Sequence, residues 1–112
     1  MSRLPTGIVA SGLLRAAEAA GGNGVVLKRG DPDVGALLVV VTRRGADPRV
    51  LERLSALDGG LGWNLQNNGE SISSGSVARL IDKKKRFDRD LWVLELDVAD
   101  AEQFIALTFG QT

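Results

Sequence analysis

Between Arg86 and Asp97 the chain reads Arg-Phe-Asp-Arg-Asp-Leu-Trp-Val-Leu-Glu-Leu-Asp, so Leu91, Trp92, Val93, Leu94 and Leu96 put five bulky apolar side chains into six positions. A half-exposed strand would alternate apolar with polar. A run this dense predicts a strand buried on both faces, the central strand of a sheet. It is too short to span a membrane. Ala36 to Thr42 (ALLVVVT) is a second continuously apolar, β-branched run, and Val25 to Lys28 a shorter one. The Gly30-Asp31-Pro32-Asp33 link between these two is brief and turn-forming, which predicts an antiparallel pair.

Helical periodicity marks the flanking segments. From Thr6 to Ala20 the residues Val9, Leu13, Ala16, Ala17 and Ala20 recur at three- and four-residue spacing, with Thr6 as N-cap and Gly21-Gly22 as the stop. Gly7 and Gly12 weaken this helix; at Gly12 the choice is between close backbone approach and simple tolerance. A helix near 76–87 follows the polar linker Asn67 to Gly75, with Val77, Leu80, Ile81 and Phe87 on one side and the Lys84 stem lying along the core with its ammonium in solvent. Arg79, Asp82, Lys83, Lys85 and Arg86 face outward, and the cations of the last turns oppose the negative end of the helix dipole. Asp100 caps a short C-terminal helix carrying Phe104, Ile105 and Leu107. Val50 to Leu57 fits two templates: Asp47-Pro48 and the spacing of Val50, Leu51, Leu54 and Leu57 suit a helix, whereas Asp58-Gly59-Gly60 suits a hairpin returning through Leu61 to Gln66.

Composition narrows the chemistry. The chain has 112 residues, the size of one domain, 1–112, and no repeat or low-complexity tract. It contains no cysteine and no histidine, which excludes disulfides, thiolate metal sites, a serine-histidine-aspartate triad and a histidine general base. Fourteen basic residues balance fourteen acidic ones, so no global field gathers polyanions and any electrostatic recognition is local. Neither a secretory leader nor a membrane segment is recognisable, and the expected location is the cytoplasm.

Four stretches carry candidate chemistry. Lys83-Lys84-Lys85-Arg86 offers phosphate contacts, against the plain reading of a solvated helix end; no aromatic residue interleaves with these cations as a stacking platform. Gly30 to Gly35 (GDPDVG) offers two carboxylates to a hard cation, but lacks the ligand count of a calcium loop and reads first as a turn. Asp88 and Asp90, two residues apart at a strand entry, suit an acid and base pair or a magnesium site, or else close a turn. A core role leads for both Trp92 and Trp63; Trp63, beside glycines and amides, is the alternative recognition candidate. Gly59-Gly60-Leu61-Gly62 lacks the third glycine of a dinucleotide loop.

Leu13 to Gly22, Val26 to Val39 and Arg86 to Leu96 together resemble a family of short bacterial proteins catalogued as domain-of-unknown-function family 1491. The resemblance spans nearly the whole chain and is most specific at Asp88 to Val93, where the family pattern would place Pro and this chain has Arg89. It favours strand over helix for the region around Val50 to Ala56. No activity is assigned to the family, so no catalytic residues carry over.

The expected architecture is a single α+β domain: a mostly antiparallel sheet of four or five strands covered by an N-terminal helix and the helix near 76–87, with a short C-terminal helix. The expected role is a non-enzymatic protein-binding or oligomerisation module with no cofactor and no metal, its partner being an unknown protein or a second copy of itself. The candidate surface comprises Trp63, Lys83, Lys85 and Arg86. The alternatives are a nucleic-acid accessory role through 83–86 and an enzyme using Asp88 and Asp90.

Overall fold

The computed structural model describes residues 4–53 and 62–110. In chain order these form α1 (Thr6–Ala19), β1 (Asn23–Lys28), β2 (Leu37–Arg43), β3 (Ala46–Arg53), β4 (Asn64–Leu65), a 3-10 turn at Gln66–Gly69, α2 (Ser74–Phe87), β5 (Trp92–Val98) and α3 (Ala101–Phe109). The sheet has the order β1-β5-β2-β3-β4. Its pairings are antiparallel except β2 with β5.

The dense run around Trp92 is therefore interior but not central as expected: β1 lies on one side and β2, the middle strand, on the other. This corrects one expectation. β1 and β2 do not pair with each other, because β5 is inserted between them. The short link suits a hairpin, but the two-sided burial that β5 requires is available only between two neighbours, and that non-local demand wins.

Alternation along β2 and β5 divides the core into two layers. Leu37, Val39, Val41, Trp92, Leu94, Leu96 and Val98 point to one face, where Ala10, Leu13 and Ala17 of α1 and Phe104, Ile105 and Phe109 of α3 cover them. Leu38, Val40, Val50, Leu91 and Val93 point to the other, against Val77, Leu80 and Ile81 of α2. Each fully buried Leu or Val contributes roughly 1.5–3 kcal/mol. Leu94, with no exposure, sits in the middle of the α1/α3 layer.

The helix signals hold with local adjustments. Ser73 caps α2, accepting from the Ser76 N–H at 3.2 Å, and Asp100 caps α3, accepting from Gln103 N–H at 3.0 Å. Thr6 is not a cap. Its hydroxyl is buried and donates to the Gly35 carbonyl at 2.7 Å, while Pro5 occupies the cap position. Gly21 takes the left-handed conformation that ends α1 (φ 84). Among the described residues no backbone approaches Gly12, so its presence is simple tolerance.

Residues 46–53 are strand, as the resemblance implies, and the remainder of Val50 to Leu57, with the turn at Asp58 to Gly60, lies outside the described residues. Arg44 and Gly45, both at positive φ, close the tight β2–β3 turn. Phe87 leaves the apolar stripe of α2. It stands about 80° round the helix from Val77 and is 83% exposed at the helix end.

Candidate functional site

Because β5 separates β1 from β2, the chain from Arg29 to Ala36 must cross the N-terminal end of β5. The Gly30 to Gly35 segment is that crossing. Asp31 N–H donates to the Asp90 carbonyl at 3.0 Å, the Trp92 indole Nε1–H donates to the Asp31 carbonyl at 2.7 Å, and Trp92 N–H donates to Ala36 at 2.9 Å. Gly30 and Gly35 press on the same Asp90 carbonyl so closely that a Cβ on either would lie 2.0 or 2.2 Å from its oxygen. Lys28 Nζ closes the junction, donating to the Arg89 and Leu91 carbonyls at 2.8 and 2.9 Å.

The other side of the crossing serves α1. Gly7 N–H donates to the Pro32 carbonyl at 2.8 Å and Thr6 N–H to Asp33 at 3.3 Å, which satisfies first-turn donors that a capping side chain would otherwise take. The Asp31 carboxylate accepts from Val34 N–H and Asp33 N–H at 3.0 and 2.8 Å. Those two donors, Val34 foremost, hold its pKa below the ordinary value. The GDPDVG segment is thus a crossover held through its backbone and the Asp31 carboxylate, and among the described residues no group of three or more His, Cys, Asp or Glu is placed to hold a metal ion. Asp88 is similarly occupied: its carboxylate accepts from Asp90 N–H at 3.1 Å and closes the turn into β5.

The cations of α2 divide around the helix. Lys84 points inward and its ammonium meets the buried Glu52 carboxylate of β3 at 2.6 Å, not solvent as expected. Arg79, Lys83 and Arg86 share the outward side with Asp82 and Phe87, lining a shallow groove of about 430 Å³. Lys85 lies roughly 160° from Lys83, on another flank. Trp63 is on the opposite layer, half-buried, with its ring 4.7 Å from that of Phe109 in an edge-to-face arrangement. The structure therefore joins Lys83 to Arg86 and to an exposed aromatic ring, and separates both from Trp63 and Lys85.

A different surface emerges at the β1 margin. Among the described residues β1 pairs on one side only, with β5, and a register shift between Val26 and Lys28 leaves Leu27 without a partner in that strand. Val25, on the face opposite α1, and Leu27, at the shift, are 51% and 50% exposed. On the α1 side, Leu4 and Ile8 are also exposed, and Ile8, Leu14, Val26, Arg29, Pro32 and Trp92 help to line a groove of about 400 Å³. The Arg29 guanidinium lies 5.2 Å over the Trp92 ring at its floor. Sequence inspection missed this margin because a short apolar run does not announce whether it has one neighbour or two. The absence of charge from Asn23 to Leu27, between glycine-rich ends, was the available signal.

A family model described as "Protein of unknown function (DUF1491)" matches residues 4–106. A DUF1491 protein of Caulobacter crescentus CB15 solved by NMR is 30% identical, with a TM-score of 0.75 over 93% of this chain and 94% of that one. A crystal structure of a DUF1491 protein from the same organism is 28% identical, with a TM-score of 0.72 over 90% and 92%. A solution structure of a protein from A. tumefaciens shares the fold at 23% identity, with a TM-score of 0.76 over 92% of each chain. No curated protein matches.

Proposed function

The chain belongs to the DUF1491 family, and from that premise we propose that it is a non-enzymatic binding or oligomerisation module whose docking surface is the α1–β1 margin of the sheet. The observation that carries this reading is the state of the two sheet edges. Natural edges are blunted by outward Lys or Pro, by bulges, or by being very short. β4, at one end, has two residues. β1, at the other, has six, with a register shift between Val26 and Lys28 but no charge or proline between Asn23 and Leu27, and its terminal Lys28 is turned back onto the Arg89 and Leu91 carbonyls. The open edge and the half-exposed Val25 and Leu27 beside it invite another polypeptide. Sedimentation velocity across a concentration series tests this: the wild-type chain shows mass above the monomer that Leu27→Lys removes while its circular dichroism is retained. A monomer at every concentration would reject the oligomerisation reading.

A second reading rests on Phe87. With its ring beside Arg79, Lys83 and Arg86, the outward side of α2 supplies both elements used to hold single-stranded nucleic acid, cations for phosphate and an aromatic platform for a base. Asp82 in the same groove weakens the local field. This reading expects a fluorescent single-stranded oligonucleotide to bind at low salt and to be released steeply as salt rises, with Phe87→Ala and Lys83→Gln each weakening it. Salt-insensitive binding, or none, rejects it. No catalytic role is assigned to Asp88 and Asp90, since the Asp88 carboxylate is engaged by backbone.

A further inference from the structure

We infer that the outward side of α2 takes a short single-stranded stretch of nucleic acid in one fixed arrangement, its phosphates along Arg79, Lys83 and Arg86 and one unpaired base against the Phe87 ring. This rests on the second reading above, to which it gives a footprint, a strandedness and a separate duty for each side chain.

Arg79, Lys83 and Arg86 are exposed and recur every three or four residues, so successive cations stand one turn apart on one side of the helix. Arg79 is held there by donating to the Ser76 hydroxyl at 3.2 Å. Among the described residues none of the three is in an ion pair, although Asp82 lines the same groove. In a chain whose charges sum to zero, three cations against one carboxylate leave a local excess of two. Lys84, by contrast, is neutralised by Glu52. The complement of such a row is a polyanion with regularly spaced charges, and the row sets how much of it is held. From Arg79 to Arg86 the helix rises about 10.5 Å, at about 1.5 Å per residue. A stacked strand advances about 3.4 Å per nucleotide, so roughly three nucleotide steps cover that distance.

The ring chooses among polyanions. Phe87 follows Arg86 directly, is 83% exposed and lines the same groove, so it presents a free aromatic face beside the last cation of the row. An unpaired base stacks on such a face; a duplex keeps its bases paired inside and offers Phe87 only backbone. An acidic peptide would satisfy the cations and leave the ring without a flat partner. A membrane surface needs an apolar stripe along the helix. Among the described residues of α2, Phe87 is the one large apolar side chain in solvent, since Val77, Leu80 and Ile81 pack against the sheet. With contacts confined to phosphates and one stacked face, binding carries little sequence preference.

Fluorescence anisotropy of a short labelled oligothymidylate, titrated with the full chain across a salt series, separates these duties. Three phosphate contacts on a single strand give a slope of about −2 for log affinity against log salt. Arg79→Gln and Lys83→Gln are each expected to make that slope shallower by about 0.7, and Lys85→Gln, on another flank, to leave it unchanged. Phe87→Ala is expected to keep the slope while weakening the single strand by roughly five- to a hundred-fold, and to leave binding of a blunt duplex of the same length unchanged. A Phe87→Ala variant that weakens single strand and duplex alike, or neither, overturns the stacked arrangement while leaving nucleic-acid binding through the cations standing. Polyglutamate bound as tightly as oligothymidylate overturns it in favour of an acidic peptide. No binding of the oligonucleotide at the lowest salt overturns both this arrangement and the reading it rests on.

Discussion

The indole of Trp92 and the backbone carbonyl of Asp31 meet at 2.7 Å, and that bond pins the loop between β1 and β2 across the strand that separates them. It explains why an interior, 3%-exposed residue is tryptophan and not a purely apolar side chain: the ring fills the α1 layer while its N–H serves a backbone carbonyl. Trp92→Phe keeps most of the apolar surface and leaves the carbonyl short of a donor. Chemical denaturation is expected to show a loss of roughly 1–3 kcal/mol.

The two glycines flanking this loop differ from Gly12 in the first helix. At Gly35 a Cβ would overlap the Asp90 carbonyl at 2.2 Å, a backbone atom that cannot yield without moving β5, so Gly35→Ala is expected to cost roughly 3 kcal/mol or more. At Gly12 a Cβ meets nothing within 4 Å, and Gly12→Ala in mid-helix is expected to stabilise by up to about 1 kcal/mol. Paired urea titrations decide it; equal effects would contradict the crossover geometry.

Lys84 and Glu52 tie α2 to β3 at 2.6 Å, with Gln66 reaching the second carboxylate oxygen at 3.5 Å. Glu52 is only 8% exposed, so removing its partner strands a charge under the helix. Lys84→Met is expected to destabilise by roughly 1–3 kcal/mol, and the Glu52→Gln/Lys84→Met double variant to recover part of that loss. Lys83→Met, on the solvent side, is expected to change stability by less than about 0.5 kcal/mol.

The Asp31 carboxylate gives the fold an acid-sensitive contribution. Its folded pKa is depressed by the Val34 and Asp33 N–H groups, so it binds protons less readily than in the unfolded chain. The stabilisation is present above the unfolded value of about 3.9 and is lost as pH falls through the lower folded value. Asp31→Asn retains an acceptor oxygen but removes the titration, and unfolding midpoints measured down from neutral pH are expected to decline less steeply below about pH 4 than in the parent.

Much of this was legible in the residues. The density of apolar side chains from Leu91 to Leu96 announced an interior strand, and Asp100 announced the start of α3, because burial on both faces and N-capping are written locally. Strand order was not, since Val25 to Lys28 and Ala36 to Thr42 carry identical local signals whether they pair with each other or admit β5 between them. Of the basic run, Lys83 and Arg86 share a side of α2, but the adjacent Lys84 and Lys85 are turned away by helical geometry. Phe87 was read into the core because its spacing from Leu80 fits the stripe, whereas its place at the helix end, beyond the sheet's cover, leaves it in solvent. Tertiary coverage decides exposure there, and spacing does not record it.

The most direct test of the account is amide hydrogen exchange followed at low and high protein concentration. Protection is expected to rise with concentration within residues 23–28, and not in α2 around Lys83 to Phe87, because in the oligomerisation reading a second copy supplies partners to the outward backbone groups of β1. Exchange in 23–28 that is independent of concentration, or a rise confined to α2 or α3, would contradict it.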